Sequence, residues 1–221
     1  YVENRFAGEQ QGDLVFIEKE AQYGQKLICE LPDGSTVKLN SGSKISYPKH
    51  FKGSNREVSL SGEAFFDVFR NPERPFVIRT SQMNITVLGT SFNVNAYTED
   101  AISSVAVKTG KVAVKSTVND QEVTLLPNEK VQVAAQDAMM KKGSVQNDEK
   151  VFGWLEQTLM FEDDDLPTII TRLERWYDVK VEVVRKMNEK KTFTGKYKNP
   201  SLRAVMESLS YAYDFEYELN G

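Results

Sequence analysis

Alternation of apolar and polar residues is the main pattern of the chain between residues 25 and 135. It is clearest over residues 57–96, where apolar side chains recur at every second position. A period of two is typical of strands that bury one face. Glycine, proline and serine interrupt the pattern at short intervals, where turns form cheaply. The recurring apolar positions are Val58, Leu60, Phe76, Ile78, Ile85, Val87, Phe92, Val94 and Ala96.

Turn signals divide this region into about ten short strands. The strongest is Asp33-Gly34, which lies between the alternating segments 26–31 and 36–39 and is typical of a hairpin. No segment of the region has a sustained helical period. We therefore predict an all-β domain over residues 25–135, built from consecutive hairpins. The pattern leaves open whether these form a sandwich, a roll or a solenoid.

Two stretches lack this periodicity and are interpreted as connections. Residues 1–24 are predicted to be a linker or a loosely attached first strand. Residues 136–150 are polar and unpatterned, and we predict a second linker there. The composition changes again beyond it, which predicts a separate C-terminal domain over residues 151–221.

An internal repeat organises the C-terminal domain, because residues 159–183 match the chain again after a shift of 36 residues. Each copy has apolar residues at i, i+3, i+4 and i+7, the stripe of an amphipathic helix. Asp165 and Ser201 directly precede these stripes as candidate N-caps. An alternating segment follows each helix. We predict an α+β domain with two βαβ halves and one small mixed sheet. The stripes are Leu166, Ile169, Ile170, Leu173 and Leu202, Val205, Met206, Leu209.

Composition and motifs give little indication of chemistry. The net charge of −4 offers no basic surface for nucleic acid,. The single cysteine, Cys29, alternates with leucines and is predicted to be a small buried residue. The single histidine, His50, has no nucleophile motif to work with, and no phosphate-binding glycine loop is present. We predict no catalytic residue, no metal site and no cofactor.

Acidic residues do not change this expectation. Glu63 and Asp67 lie on one face of a predicted strand, roughly 13 Å apart at about 3.3 Å per residue. That spacing exceeds the one that glycosidase carboxylates use. The acidic run 162–165 lacks the spacing of a calcium loop and is interpreted as a helix N-terminus, where carboxylates favourably meet the helix dipole.

The sequence also contains no apolar run long enough to cross a bilayer, and its polar opening does not resemble a signal peptide. Two interpretations stay open: a cytosolic protein, or a soluble piece of a longer chain.

Four segments in order closely resemble the FecR family of periplasmic regulators of extracytoplasmic-function sigma factors. They are LPDGSTVKLNSGSKISYP (31–48), REVSLSGEAFFDVFRNPERPFVIRT (56–80), VLGTSFNVNAY (87–97) and VKTGKVAVKS (107–116). Residues 154–183 and 193–219 are similar to the C-terminal domain of Bacteroidetes members. That domain resembles the short N-terminal domain of secretins and TonB-dependent receptors, whose two βαβ halves fit the repeat.

The resemblance implies a non-enzymatic relay. Family members carry a cytoplasmic anti-sigma segment and one transmembrane helix before the periplasmic region. This sequence shows neither, so we expect it to be the periplasmic region of a protein anchored in the inner membrane. Its expected partner is the N-terminal signalling domain of a TonB-dependent outer-membrane receptor. It would meet the sigma factor, and the membrane, only through the missing segments. The regulated genes would serve uptake of iron chelates or glycans.

Two groups of residues follow from this interpretation. The most recognisable family positions are assigned to turns and packing, with Asn93 bonding nearby backbone in a turn. They are Gly62, Glu63, Leu88, Gly89, Thr90, Phe92 and Asn93. Partner binding is predicted on the first helix of the repeat or on the strand edge 191–197. The candidates are Thr168, Arg172, Arg175, Trp176, Thr194 and Tyr197.

A second hypothesis is a carbohydrate-binding or hydrolytic all-β module, with surface aromatic residues stacking on sugars. The lack of a close carboxylate pair counts against it. The many aromatic residues of the C-terminal domain are favoured as core, with a protein-docking surface as the alternative.

Overall fold

The structure, a computed structural model, describes residues 15–184 and 191–220. The described part of the chain begins with thirteen strands. They are β1 (Phe16–Ala21), β2 (Leu27–Glu30), β3 (Thr36–Leu39), β4 (Ser43–Pro48), β5 (Arg56–Asp67), β6 (Phe76–Arg79), β7 (Met83–Val87), β8 (Ser91–Ala96), β9 (Ile102–Thr109), β10 (Val112–Ser116), β11 (Glu122–Leu125), β12 (Glu129–Ala134) and β13 (Met140–Ser144).

These strands form two sheets that share the long strand β5. Sheet I has the order β1-β4-β5-β6-β7-β10-β11, and sheet II has the order β2-β3-β5-β8-β9-β12-β13. The first half of β5 pairs with β4 and, in parallel, with β6. Its second half pairs with β3 and β8. The predicted all-β architecture is therefore present as a two-sheet arrangement in which one strand passes from sheet to sheet.

Gly62 lies where β5 passes from sheet I to sheet II. Its φ of +99° is a conformation that side chains other than glycine rarely adopt,. A Cβ at this position would lie 2.7 Å from the Cα of Ser43 on the neighbouring strand β4. The crossing of β5 thus depends on the absence of a side chain at Gly62.

The inward-facing residues of both sheets form one hydrophobic core. At its centre, Phe66 of β5 stacks on Phe92 of β8, with ring centroids 5.4 Å apart. Phe66 also meets Phe76 of sheet I at 6.2 Å. All three rings are fully buried. Truncating a buried phenylalanine to alanine typically costs about 3–5 kcal/mol, so this aromatic cluster contributes strongly to joining the sheets.

The C-terminal part contains helix α1 (Asp148–Phe152), a 3-10 helix (Gly153–Glu156), β14 (Thr158–Asp165), α2 (Leu166–Tyr177), β15 (Thr192–Lys198) and α3 (Leu202–Tyr213). Strands β14 and β15 pair antiparallel. The apolar stripes of α2 and α3 pack on this two-stranded sheet around a second core, which includes Leu159, Phe161, Ile169, Leu173, Val205 and Leu209.

The repeat is confirmed at the level of the helices. Helices α2 and α3 have the same length, and each begins after the predicted cap. Asp165 Oδ1 accepts a hydrogen bond from the Thr168 N–H (2.9 Å), and Ser201 Oγ accepts one from the Ala204 N–H (3.3 Å). Both helices end at an aspartate in the left-handed conformation, Asp178 and Asp214.

The prediction of two βαβ halves with a mixed sheet was wrong for the strands after each helix. Residues 179–184 and 215–220 belong to no strand, and the described C-terminal sheet contains only the antiparallel pair β14–β15. One cause is local: the N–H groups of Val179 and Val181 bond the backbone oxygen and the side chain of Glu174 in α2. These groups are therefore not available to a neighbouring strand.

The two predicted linkers contain regular structure. Within 136–150, residues 140–144 form β13, which pairs with β12 at the edge of sheet II. The segment looked unpatterned because β13 is exposed along nearly its whole length. Of the stretch 1–24, residues 16–21 form β1 at the edge of sheet I, and residues 1–14 lie outside the described part. The limits of the two domains stay predictions.

Candidate functional site

The outer face of sheet II contacts the C-terminal part, and this junction contains the most unusual chemistry of the described residues. Helix α1 is capped by Asn147, whose side chain accepts from the N–H groups of Glu149 and Lys150. The helix places Phe152 edge-on against Phe65 of β5, with centroids 6.1 Å apart. The 3-10 helix that follows buries Trp154. Two aromatic rings thus hold this end of the junction together.

A partly buried glutamate, Glu63 of β5, lies at the centre of the junction. Its two oxygens accept hydrogen bonds from Asn40 Nδ2 (2.7 Å) and Asn93 Nδ2 (2.8 Å). Asn93 Oδ1 in turn accepts from Trp154 Nε1 (3.2 Å). A continuous chain of side-chain hydrogen bonds therefore links sheet II to the C-terminal part.

Burial raises the pKa of Glu63 above its usual value of 4.5, although the hydrogen bonds from Asn93 and Asn40 oppose this shift,. No side-chain ion pair joins Glu63 among the described residues. Its charge is balanced at longer range by Arg172 and Arg175 of α2 and by Lys26 of the β part. Movement of α2 would therefore remove part of this balance.

Arg175 of α2 forms a second set of contacts across the junction. Its guanidinium donates to Asp100 Oδ2 (3.0 Å) and Glu99 Oε1 (2.9 Å) in the loop after β8. It also lies 3.7 Å from the ring centroid of Tyr97, within the range of a cation–π interaction. Its side chain is only 7% exposed. The arginine therefore anchors α2 on the β part.

The turn after β1 supplies a third contact with α2. The Gly24 N–H donates to the backbone oxygen of Arg175 (2.9 Å). Lys26 Nζ lies 3.8 Å from the ring centroid of Trp176, and burial lowers the pKa of this lysine. The junction thus contains one charged cluster, one amide–carboxylate chain, the aromatic contact between Phe65 and Phe152, and three cation–aromatic contacts, the third between Lys108 and Phe152.

Comparisons with known proteins identify the family. Residues 20–113 match the family model described as FecR protein, and residues 158–221 match the one described as FecR, C-terminal. A solved structure from Parabacteroides distasonis ATCC 8503, at 2.50 Å resolution and described as a candidate anti-sigma factor, is 34% identical. It covers 93% of this chain and 95% of its own, with a TM-score of 0.86. The chain belongs to the FecR family.

A second structure from the same organism, at 1.65 Å and with the same description, is 35% identical with a TM-score of 0.85 and the same coverage. No curated protein sequence matches the chain significantly. Within residues 15–184 and 191–220, no helix is both long and apolar enough to span a membrane.

The FecR motif residues divide between packing and the junction. Gly89 has a φ of +150°, and a Cβ there would lie 2.5 Å from the Cα of Arg70. Thr90 Oγ1 donates to the Lys111 backbone oxygen (3.1 Å), and Leu88 is half-exposed beside this turn. With Gly62 at the strand crossing and Phe92 in the core, these positions lie in turns and in packed positions.

Asn93 and Glu63 differ from that expectation. Asn93 lies in β8 and bonds side chains of Glu63 and Trp154, whereas the sequence predicted a backbone contact in a turn. The two positions point outward in an alternating pattern, which normally indicates a solvent face. Because the C-terminal part covers that face, polar residues there become interior. The sequence contained no local signal of this covering.

The six candidate partner-binding residues are found in different surroundings. Thr168 and Thr194 are exposed. Tyr197 is half-buried, 6.4 Å from Phe161 in the C-terminal core. Arg172 Nη1 pairs with Asp164 Oδ2 of β14 (2.6 Å).

Arg175 and Trp176 require a correction. Both are predicted to bind the partner, but the structure buries Arg175 against Glu99 and Asp100 and places Lys26 over the ring of Trp176. Both residues contact the β part, so neither is an exposed anchor in this structure.

A surface depression on the outer face of sheet I has a volume of about 410 Å³. Its lining mixes charged and polar residues such as Arg79, Asn84 and Lys115 with the small apolar residues Val77 and Ala113, and it includes no aromatic ring. Stacking on sugars requires such rings. This surface therefore gives no support to the carbohydrate-binding hypothesis.

Proposed function

We propose that this FecR-family chain is the periplasmic sensing and relay region of a transmembrane anti-sigma factor. It would receive a signal from the N-terminal domain of a TonB-dependent outer-membrane receptor. The signal would control release of an extracytoplasmic-function sigma factor by a cytoplasmic segment beyond an inner-membrane helix. The family match and the likeness to two candidate anti-sigma factors support the regulatory role.

The observation that carries the relay is that one helix takes part in both surfaces. Helix α2 buries Arg175 in the junction with the β part near its C-terminal end, while Thr168, two turns earlier on the same helical face, is exposed,. A partner that contacts the exposed first turn bears directly on the element that holds the two parts together.

The junction is suited to a reversible response. The ion pairs of Arg175 require specific geometry, so a small displacement of α2 costs them much of their stabilisation,. Water can solvate the separated charges, which an apolar interface would not permit at comparable cost. Arg175, Asp100 and Glu99 would therefore change partners when the helix moves, and Glu63 would lose the longer-range influence of Arg172 and Arg175.

Binding of the receptor domain is the direct test. The purified full chain is titrated with the N-terminal signalling domain of the TonB-dependent receptor encoded beside it, and heat release gives the affinity. We expect a dissociation constant of about 1–100 µM, since small transient interfaces are common in signalling.

Two threonine substitutions show where the domain binds. Thr194→Arg on β15 introduces a long charged side chain on the candidate surface and is expected to weaken binding at least about tenfold. Thr124→Arg makes the same chemical change on exposed strand β11 and should leave affinity unchanged. Absence of binding at about 100 µM of each protein would count against the proposal. Equal effects of the two variants on affinity would show that the receptor domain does not bind at the candidate surface.

A further inference from the structure

The segment that follows helix α2 has the properties of a strand edge without a partner. Residues 179–184 read Val-Lys-Val-Glu-Val-Val, with β-branched residues at the positions that favour strands,. They belong to no strand in the structure. Val183 is 51% exposed and Val184 is 90% exposed, which is unusual for apolar residues in succession.

Hydrogen bonding shows which edge of this segment is occupied. The Val179 N–H bonds the Glu174 backbone oxygen (3.3 Å), and the Val181 N–H bonds Glu174 Oε1 (2.9 Å). In an extended chain, successive N–H groups point in opposite directions. The N–H groups of Lys180 and Glu182 therefore point away from α2, and neither has a hydrogen-bond partner among the described residues.

The charged residues of this segment would pair with those of a second copy of the segment. Lys180 and Glu182 are exposed and take part in no ion pair within the described part of the chain. When two such segments run antiparallel about Val181, Lys180 of each copy lies opposite Glu182 of the other. Val179 then lies opposite Val183. Opposite charges and β-branched residues directly across a strand pair both stabilise it.

We propose that two copies of this chain pair through residues 179–183 as antiparallel strands about a two-fold axis at Val181. Lys180 and Glu182 form the hydrogen-bonded pairs of this ladder, because their N–H groups face outward. Val181 meets Val181 of the second copy at a non-hydrogen-bonded position, which leaves its N–H bonded to Glu174. The pairing is independent of the receptor-binding function proposed above.

The repeat supplies an internal comparison. Residues 215–219 follow α3 as residues 179–183 follow α2, with the same alternation of apolar and charged positions. There, however, the charged residues are Glu216 and Glu218. Antiparallel self-pairing of that segment would bring two carboxylates face to face, which is destabilising. Self-complementarity is therefore specific to the first half of the repeat.

Sedimentation equilibrium of the full chain tests the proposal with charge reversals. A ladder this short buries little area, so we expect a weak dimer with a dissociation constant of about 100 µM. Lys180→Glu and Glu182→Lys each create two like-charge contacts by symmetry and should weaken the dimer about tenfold. The double variant Lys180→Glu/Glu182→Lys restores opposite charges across the axis and should return the constant to within about threefold of the original.

Lys49→Glu in an exposed loop is the control, because it changes net charge as Lys180→Glu does. Circular dichroism verifies that each variant is folded. A chain that stays monomeric up to about 1 mM overturns the proposal. The proposal is also overturned if the single charge reversals leave the dissociation constant of the dimer unchanged, or if the double variant does not restore it. Binding of the receptor domain to this edge in a monomeric chain would assign the segment to that partner instead.

Discussion

At the scale of single residues, the orientation of two asparagines determines the surroundings of Glu63. Asn40 Oδ1 accepts from the Ser41 N–H (2.9 Å), and Asn93 Oδ1 accepts from Trp154 Nε1. Each asparagine must therefore present its NH₂ group to Glu63. The two NH₂ groups are donors, so the residue between them must supply two acceptor oxygens, as a carboxylate does. Burial raises the pKa of that carboxylate and the two hydrogen bonds lower it.

Glu63→Gln is expected to lower the free energy of unfolding by about 1–3 kcal/mol, because its NH₂ group faces an asparagine donor. The loss should depend on pH. The raised pKa of Glu63 means that the folded state binds the proton more tightly than the unfolded state. The stabilisation from this group is complete below its usual pKa of 4.5 and declines as pH rises through the raised value,.

Denaturant titrations of the wild type and Glu63→Gln at several pH values measure this effect. The difference in unfolding free energy should shrink as pH increases from about 4 to 8. Other titrating groups cancel in the difference, since glutamine does not titrate. A difference that stays constant or grows over this range would contradict the pKa direction.

At the scale of elements, the passage of β5 between the sheets depends on Gly62. Gly62→Ala adds a Cβ 2.7 Å from the Ser43 Cα and forces an unfavourable φ. We expect a loss of about 2–4 kcal/mol in unfolding free energy, from backbone strain together with overpacking.

Gly53→Ala is the matched control for this prediction. Gly53 also has a positive φ, +75°, but no atom lies within 4 Å of an added Cβ. It should therefore lose only about 1–2 kcal/mol, the cost of strain alone. Equal losses for the two variants in urea unfolding would show that the contact with Ser43 is easily relieved.

The two helix caps make a second prediction at this scale. Asp165→Ala and Ser201→Ala should each cost about 1 kcal/mol at neutral pH. Hydrogen bonds from Thr168 lower the pKa of Asp165, so its contribution is present above its usual pKa of 3.8 and declines as pH falls through the lowered value,. Ser201 has no charge to lose. Thermal unfolding between about pH 2 and 7 should show an acid-dependent cost for Asp165→Ala only.

Helices α2 and α3 could be predicted because their signals are local: four apolar residues at helical spacing and a cap directly before them. The switch of β5 from one sheet to the other could not, because alternation along residues 56–67 is the same whichever sheet each half joins. Arg175 was misassigned for a similar reason. An arginine on a helix is normally solvated, and Glu99 and Asp100, which bury it, lie far away in sequence.

At the scale of the whole molecule, the junction determines whether the two parts unfold together. Both tryptophans, Trp154 and Trp176, lie in the C-terminal part, so fluorescence reports on that part. The single cysteine, Cys29, is buried in the β part, so its reaction with a thiol reagent reports on unfolding of that part. Coincident transitions by the two probes indicate cooperative unfolding.

Arg175→Met should separate these transitions. It removes the ion pairs with Asp100 and Glu99, and we expect the C-terminal part to lose about 2 kcal/mol of stability. The fluorescence midpoint in urea should fall below the midpoint for exposure of Cys29. Arg203→Met, on the exposed face of α3, makes the same change away from the junction and should leave the probes coincident. Separation of the probes by both variants would contradict a specific role for Arg175.

The hydrogen bond between Gly24 and Arg175 has a mechanical consequence. It joins the turn after β1, an edge strand, to α2, the helix on which we propose that the receptor domain binds. Tension applied at the N-terminal end of β1 would peel that strand from β4 one residue pair at a time, a mode of loading that requires little force. The load would then reach Gly24, and with it α2, before any strand inside the two sheets bears it. Force applied to β1 would therefore be transmitted to α2, and force applied to α2 to β1, without unfolding of the core.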